Sequence, residues 1–292
     1  MWQIRPPEVG VVEIANNSVS KVRNKNLSDR VKASIRLLVK NNDQFMDSTK
    51  ELRTHEIDAS SYEVANVRDE EFRWLYTQQL AKPTGGARNE YNEILANALF
   101  ELCSYCQHGQ ATTLDHFIPK SWLAQLAIDP WNLVPACQQC NKKLLDTRPG
   151  SAAKQMFHPY CEGVSSRWLH AKVIEGEPTT IRFEAKPDPD LDQVTRDRVK
   201  NQFKELGLAL MYSAVSARDI IEAKSGLTGN LTSSVTNSSN DRATKYFGDG
   251  VIKDLLSETA NIAFSADPNS RRGAVYQALS ESDWFCNEGY LL

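Results

Sequence analysis

The chain of 292 residues is 41% hydrophobic and carries a formal net charge of −3, enough apolar material for one large domain or a small module wrapped by helical flanks, which excludes a largely disordered protein. The N-terminal Met-Trp-Gln-Ile-Arg-Pro-Pro has no apolar run for a signal peptide, and no later segment reaches the roughly 20 apolar residues that cross a bilayer, so a cytoplasmic chain with no membrane contact is expected. The negative balance excludes nucleic-acid binding through a global basic excess; such contact must come from a local patch, a metal or a partner.

Up to residue 102 the apolar spacing is helical. Val31, Ile35 and Leu38 form one stripe over 29–40, with Ser28 as the N-cap candidate. Phe72, Leu75, Tyr76 and Leu80 repeat the spacing, and so do Tyr91, Ile94, Leu95, Ala98 and Leu102. Between these two lies Pro83-Thr84-Gly85-Gly86, a breaker cluster that predicts a loop. From 102 to 161 the character changes to short apolar runs, turn residues and most of the cysteine and histidine.

Beyond that segment, Leu169, Ala171 and Val173 alternate with polar neighbours, as do Ile181, Phe183 and Ala185. With Glu175-Gly176-Glu177 between them they predict a β-hairpin. Pro187 and Pro189 precede a helical pattern of Val199, Phe203, Leu206 and Leu210. The Ser/Thr/Asn/Gly-rich stretch 225–240 reads as a mobile loop, its Asn230 and Asn237 sequons as chance, and 251–264 and 274–285 as two further helices.

Four of the six cysteines form two pairs, Cys103-Ser-Tyr-Cys106 and Cys137-Gln-Gln-Cys140. Two such knuckles can supply four thiolates to one tetrahedral Zn²⁺ with no open position, which makes the site structural. The competing readings are four unconnected core cysteines or a redox pair, and two pairs in a chain without secretory features weigh against both. His108 is a substitute ligand of low rank, and Cys161 and Cys286, without partners at ligand spacing, read as packed thiols.

Between the knuckles stands Thr113-Leu-Asp115-His116-Phe-Ile-Pro-Lys120-Ser; Trp131-Asn132-Leu-Val-Pro135 precedes the second knuckle and Asn141 follows it. The order Cys-x-x-Cys, Asp-His, Asn-Leu, Cys-x-x-Cys-Asn resembles the HNH endonuclease family, also called ββα-metal or His-Me finger. Within it the chain is similar to a bacterial subgroup with a His-Phe-x-Pro-Lys-Ser core, an Asn-Leu-Val-Pro step and a downstream His-Pro-Tyr, here His158-Pro159-Tyr160. Such proteins are often associated with anti-phage defence. The motifs are specific but cover a minor part of the chain; the flanks match loosely.

The resemblance implies a metal-dependent DNA endonuclease. His116 can accept a proton from water near pH 7. Asp115 and Asn141 offer the oxygen ligands that a hard cation, Mg²⁺ or Mn²⁺, prefers. Asp115 and His116, adjacent on a strand, point to opposite faces; in the family fold the chain bends there, Asn132 holds the loop that orients the histidine, and Asn141 lies on the helix opened by the second knuckle. Lys120, Lys142, Lys143 and His158 are candidate substrate contacts, although solvated lysines and a packed histidine are equally ordinary. The family usually carries a lysine three residues beyond the asparagine of its Cys-Asn step, where this chain has Leu144.

The expected fold is α+β: a helical region over 1–100, a zinc-bound ββα-metal module over 101–161, and a β-hairpin with helices over 162–292. The partner expected is DNA, with RNA as an alternative. An ATPase or sensor subunit of a defence complex is a further candidate partner, docked by the flanks. A zinc-ribbon module that binds nucleic acid or protein without cutting is the competing function.

Overall fold

The computed structural model describes residues 3–235 and 250–292, which fall into two units, Met1–Val164 and Ser165–Leu292. Among the described residues no helix is long and apolar enough to cross a membrane.

The first unit opens with helices α1 (Val11–Ser20), α2 (Lys25–Ala33) and α3 (Ile35–Lys50). The helix expected over 29–40 is thus two helices. The first starts earlier, because Asn24 rather than Ser28 is the N-cap and accepts a hydrogen bond from the Leu27 N–H at 3.2 Å. At the break, the Ser34 hydroxyl donates to the Arg30 carbonyl at 2.8 Å, a back-bond that bends helices. The buried stripe nevertheless runs on through Leu27, Val31, Ser34, Leu38, Asn41, Phe45 and Ser48.

Helix α4 (Asp69–Trp74) continues as a π-helical turn over Leu75–Leu80, and α5 is Arg88–Ala96. The breaker cluster between them is a loop as expected: a Cβ on Gly86 would lie 2.2 Å from the Asn17 carbonyl, so only glycine fits. The helical spacing read as far as Leu102 ends at Ala96. Ala98 leaves helical geometry with ψ 116°, and Phe100 and Glu101, at left-handed φ values of 55° and 59°, turn the chain into the first knuckle.

Strands β1 (Thr113–His116) and β2 (Leu133–Ala136) pair antiparallel, with Asp115 opposite Val134 and His116 opposite Leu133. Helix α6 (Gln138–Leu144) follows β2 directly. Leu114, Ala127, Ile128 and Leu133 join Ile14, Leu38, Phe72 and Ile94 in one hydrophobic cluster, so the N-terminal helices and the cysteine-rich segment share a core.

In the second unit β3 (Leu169–Ile174) and β4 (Thr180–Ala185) form the predicted hairpin, with Val173 opposite Ile181 and Ala171 opposite Phe183. The pattern from Val199 to Leu210 is split between α7 (Gln193–Glu205) and α8 (Leu208–Val235), because Gly207 takes φ 60° and ends the first helix. Residues 225–235, expected as loop, belong to α8. Tyr212, Ser216, Ile220, Ala223 and Leu227 bury one stripe that carries the helix past the polar composition, and 236–240, with Asn237, lies outside the described residues. Helix α9 (Val251–Ala266) fits the one expected over 251–264, whereas α10 (Arg271–Ser280) begins three residues before the one expected over 274–285 and ends five short of it. The described chain is therefore mainly helical, with two two-stranded antiparallel sheets.

Candidate active site and metal centre

The first knuckle hangs from the β2 side of the hairpin, where the Ser104 N–H donates to the Pro135 carbonyl at 3.1 Å. It closes on itself through the Cys103 N–H and the Gly109 carbonyl at 2.8 Å. A Cβ on Gly109 would come within 2.9 Å of the Cys137 side chain, so the knuckles meet at a glycine. Cys137 is the N-cap of α6, its sulfur accepting from the Cys140 N–H at 3.4 Å, and Cys106 accepts from the Gly109 N–H at 3.4 Å.

The four sulfurs of Cys103, Cys106, Cys137 and Cys140 all lie within 4.8 Å of one another, and those of Cys106 and Cys137 are 3.9 Å apart. A tetrahedron of zinc–sulfur bonds of about 2.3 Å has edges of about 3.8 Å. All four residues are buried, and the donor set fits Zn²⁺. Hydrogen bonds among the four buried thiols couple their ionisation, and a divalent cation would replace their protons and hold four thiolates. His108 is not among the grouped ligands, and every cysteine is free of disulfides.

Asp115 is 4% exposed and accepts a 2.8 Å hydrogen bond from the Tyr105 hydroxyl. Burial pushes its pKa up to about 7, against the pull of that bond and of the Lys120 charge. It opens on a narrow recess that it shares with Tyr105, Leu144 and Lys154. His116, 8% exposed, has other neighbours: its ring meets Tyr76 edge-on at 4.3 Å, and Nε2 lies 3.0 Å from the Ala127 carbonyl. A carbonyl only accepts, so Nε2 carries the proton and Nδ1 keeps the lone pair. Burial, with Lys120 adding to it, lowers the His116 pKa to about 3, so the ring is neutral at pH 7. Lys120 is thus the cation felt by both residues, and its ammonium stands 5.3 Å from the Tyr76 ring.

Asn132 is fully buried and spends its whole carboxamide on the loop after β1. Oδ1 accepts from the Ile118 N–H at 2.7 Å, and Nδ2 donates to the carbonyls of Ile118 at 3.0 Å and Leu126 at 3.1 Å. That loop presents the Ala127 carbonyl to His116. Asn141, on α6, donates to Thr113 Oγ1 at 3.0 Å and to the Leu114 carbonyl at 3.4 Å, next to Asp115. A carboxamide whose nitrogen is tied to the strand has its oxygen left to act as a ligand.

Lys142 and Lys143 are exposed on α6. His158 is placed differently from a substrate contact. It is 1% exposed, stacks on Trp131 at 5.4 Å, and has both nitrogens engaged: Nε2 donates to the Trp131 carbonyl at 3.1 Å and Nδ1 accepts from the Tyr160 N–H at 3.4 Å. It packs the wall behind the site.

The residues that the sequence did not assign to the site are Tyr105, the Ala127 carbonyl, Lys154 and Tyr76, the last read only as part of a helical stripe. Tyr105 stands inside the first Cys-x-x-Cys, so its position was visible although its bond was not. Lys154 reaches the recess because Gln155 anchors the 3₁₀ turn Ala152–Lys154 through the Leu52 carbonyl at 2.7 Å, the Thr54 hydroxyl and the His55 N–H, contacts a hundred residues away in sequence.

Residues 103–146 match the family model described as HNH endonuclease. Protein ea31 of Escherichia phage lambda is 28% identical over 244 residues, covering 80% of this chain and 79% of that protein. No solved structure matches the chain.

Proposed function

We propose that the chain is a metal-dependent nuclease that hydrolyses DNA phosphodiester bonds. The observation that carries this reading is the HNH endonuclease match over 103–146, a segment holding the four-cysteine cluster together with Asp115, His116, Asn132 and Asn141. An HNH domain implies a hydrolase that binds nucleic acid; the roles of individual residues and the choice of DNA are our assignment.

In this reading His116 Nδ1 takes a proton from the attacking water while the Ala127 carbonyl holds the ring through Nε2. A phosphate anion beside the ring raises the low pKa that burial imposes, which makes the histidine a better base when substrate is present. Asp115 and Asn141 hold one Mg²⁺ or Mn²⁺, a donor set of hard oxygens. The bound cation supplies charge stabilisation at the phosphate and at the leaving 3′ oxygen. Asn132 fixes the loop that aligns His116. Lys120, beside both groups, attracts the phosphate, and Lys142 and Lys143 offer further contacts from α6. The zinc cluster joins the hairpin to α6 and so sets the spacing of the ligands without taking part in the chemistry.

A non-catalytic zinc ribbon would have no use for a histidine held in one tautomer next to a buried carboxylate, which favours cutting over binding alone. The phage origin of protein ea31 gives no support to a host defence role or to an ATPase or sensor partner. The test is incubation of the purified chain with plasmid DNA, single-stranded DNA and RNA, with Mg²⁺, with Mn²⁺ and without either. Metal-dependent cutting of DNA is expected. Cutting of RNA alone moves the substrate assignment, and no cutting under any condition defeats the proposal.

A further inference from the structure

Residues 21–40 contain seven lysines and arginines and a single acidic residue, Asp29. The window carries +6 on a chain whose total is −3, so the remaining residues sum to −9. Arg23, Lys25, Lys32, Arg36 and Lys40 are all exposed.

Their placement follows from helix geometry. The buried stripe of α2 and α3 runs at steps of three and four through Leu27, Val31, Ser34, Leu38 and Asn41, without slipping at the break. Lys25, Asp29, Lys32, Arg36 and Lys40 recur at the same steps on the opposite side, which lines them up over about 22 Å at 1.5 Å per residue. Lys32, Arg36 and Lys40 are successive i,i+4 neighbours of like charge, an arrangement that destabilises a helix.

Within the window Arg30 pairs with Glu71, and elsewhere in the unit Arg53 pairs with Glu51, Arg68 with Glu70 and Arg73 with Asp69. Among the described residues none of Arg23, Lys25, Lys32, Arg36 and Lys40 makes an ion pair with a carboxylate. Such a row awaits an external polyanion, and its length and regular spacing suit a duplex, which carries one charge per about 1.7 Å of axis. The window contains no aromatic residue on which a base could stack, which points to the backbone of a duplex rather than to a single strand.

We propose that the outward face of 21–40 is a duplex-binding surface that grips the phosphate backbone and delivers DNA to the nuclease site. The proposal rests on the nuclease reading above for its purpose, but not for its binding chemistry. The surface is rigidly joined to the site: Asn42 of α3 donates to Asp129 at 3.0 Å and Trp131 donates to Thr49 at 2.8 Å. Both partners lie on the loop that carries Asn132 and the Ala127 carbonyl.

The test is fluorescence anisotropy with the full chain, a short labelled duplex and no added divalent cation, across a salt series. In the triple variant Lys32→Gln, Arg36→Gln, Lys40→Gln, affinity should fall at least tenfold and the slope of log K against log salt should flatten by about three, at 0.9 per phosphate contact. Asp29→Lys should strengthen binding, which keeps the test independent of the triple variant's folding. Unchanged affinity and slope in both variants overturn the proposal, as does equal competition by polyglutamate or phosphatidylserine vesicles, which would assign the face to an acidic protein or a membrane. If wild type cuts DNA while the variants bind it normally, this inference fails and the nuclease stands. If the variants shift binding but wild type cuts nothing, the nuclease reading fails and the surface stands.

Discussion

The Tyr105 hydroxyl donates a 2.8 Å hydrogen bond to Asp115 Oδ2, joining a residue inside the first cysteine knuckle to the buried carboxylate of the candidate active site. The bond stabilises the ionised carboxylate against the burial that pushes its pKa up to about 7. In Tyr105→Phe that support is lost and the Asp115 pKa rises further. The acid limb of the pH–activity profile should therefore move to higher pH by about one unit, since a bond to a charged group contributes about 1.5–3 kcal/mol and a pKa unit is about 1.4. Zinc content should stay at the wild-type level. An unmoved acid limb would show that Asp115 does not limit activity through its ionisation.

Asn132→Ala should destabilise the first unit without removing zinc. It leaves the Ile118 N–H and the Ile118 and Leu126 carbonyls without the partner they share. Buried groups left unpaired cost about 1–3 kcal/mol each, so a total of about 3 kcal/mol and a fall of about 10 °C in Tm are expected in calorimetry. Activity should fall more than the folded fraction does, because the same loop orients His116.

Loss of the zinc cluster should be felt as loss of fold. Cys137→Ser removes a thiolate ligand but leaves a hydroxyl able to cap α6, so its effect reports on the metal site. Zinc binding contributes on the order of 10 kcal/mol in small zinc domains, so metal analysis should find no bound zinc and the melting transition of the first unit should collapse. A variant as stable and active as wild type would refute a structural zinc site.

Burial lowers the His158 pKa to about 3. Below about pH 6.5 the unfolded histidine takes up a proton that the folded one refuses, so this residue's contribution is complete above that pH and fades as pH falls toward 3. The full effect is on the order of 5 kcal/mol. His158→Phe should be less stable than wild type at pH 7, having lost the bond to the Trp131 carbonyl. Its deficit should shrink steadily between pH 6 and pH 4 in denaturant titrations. A constant deficit would mean that His158 is protonated in the fold.

How much of this was legible before the structure depended on the range of the forces involved. The knuckles and the hairpin of Val173 and Ile181 were readable because ligand spacing and strand alternation are local. Helix boundaries were less so: Asn24 outcompeted Ser28 as the cap of α2, and the buried stripe through Leu227 overrode a polar composition that read as loop. The Asp115 and His116 surroundings were not readable at all, since Tyr76 and the Gln155 anchor of Lys154 come from distant segments and are brought in by the shared core.

In the proposed nuclease Asp115 and Asn141 hold one catalytic cation in addition to the zinc. Titration calorimetry with Mn²⁺ on the zinc-loaded chain tests it most directly. One Mn²⁺ should bind per chain, and that binding should disappear in Asp115→Asn and weaken in Asn141→Ala while His116→Ala retains it. Equal Mn²⁺ binding by wild type and Asp115→Asn would contradict the account.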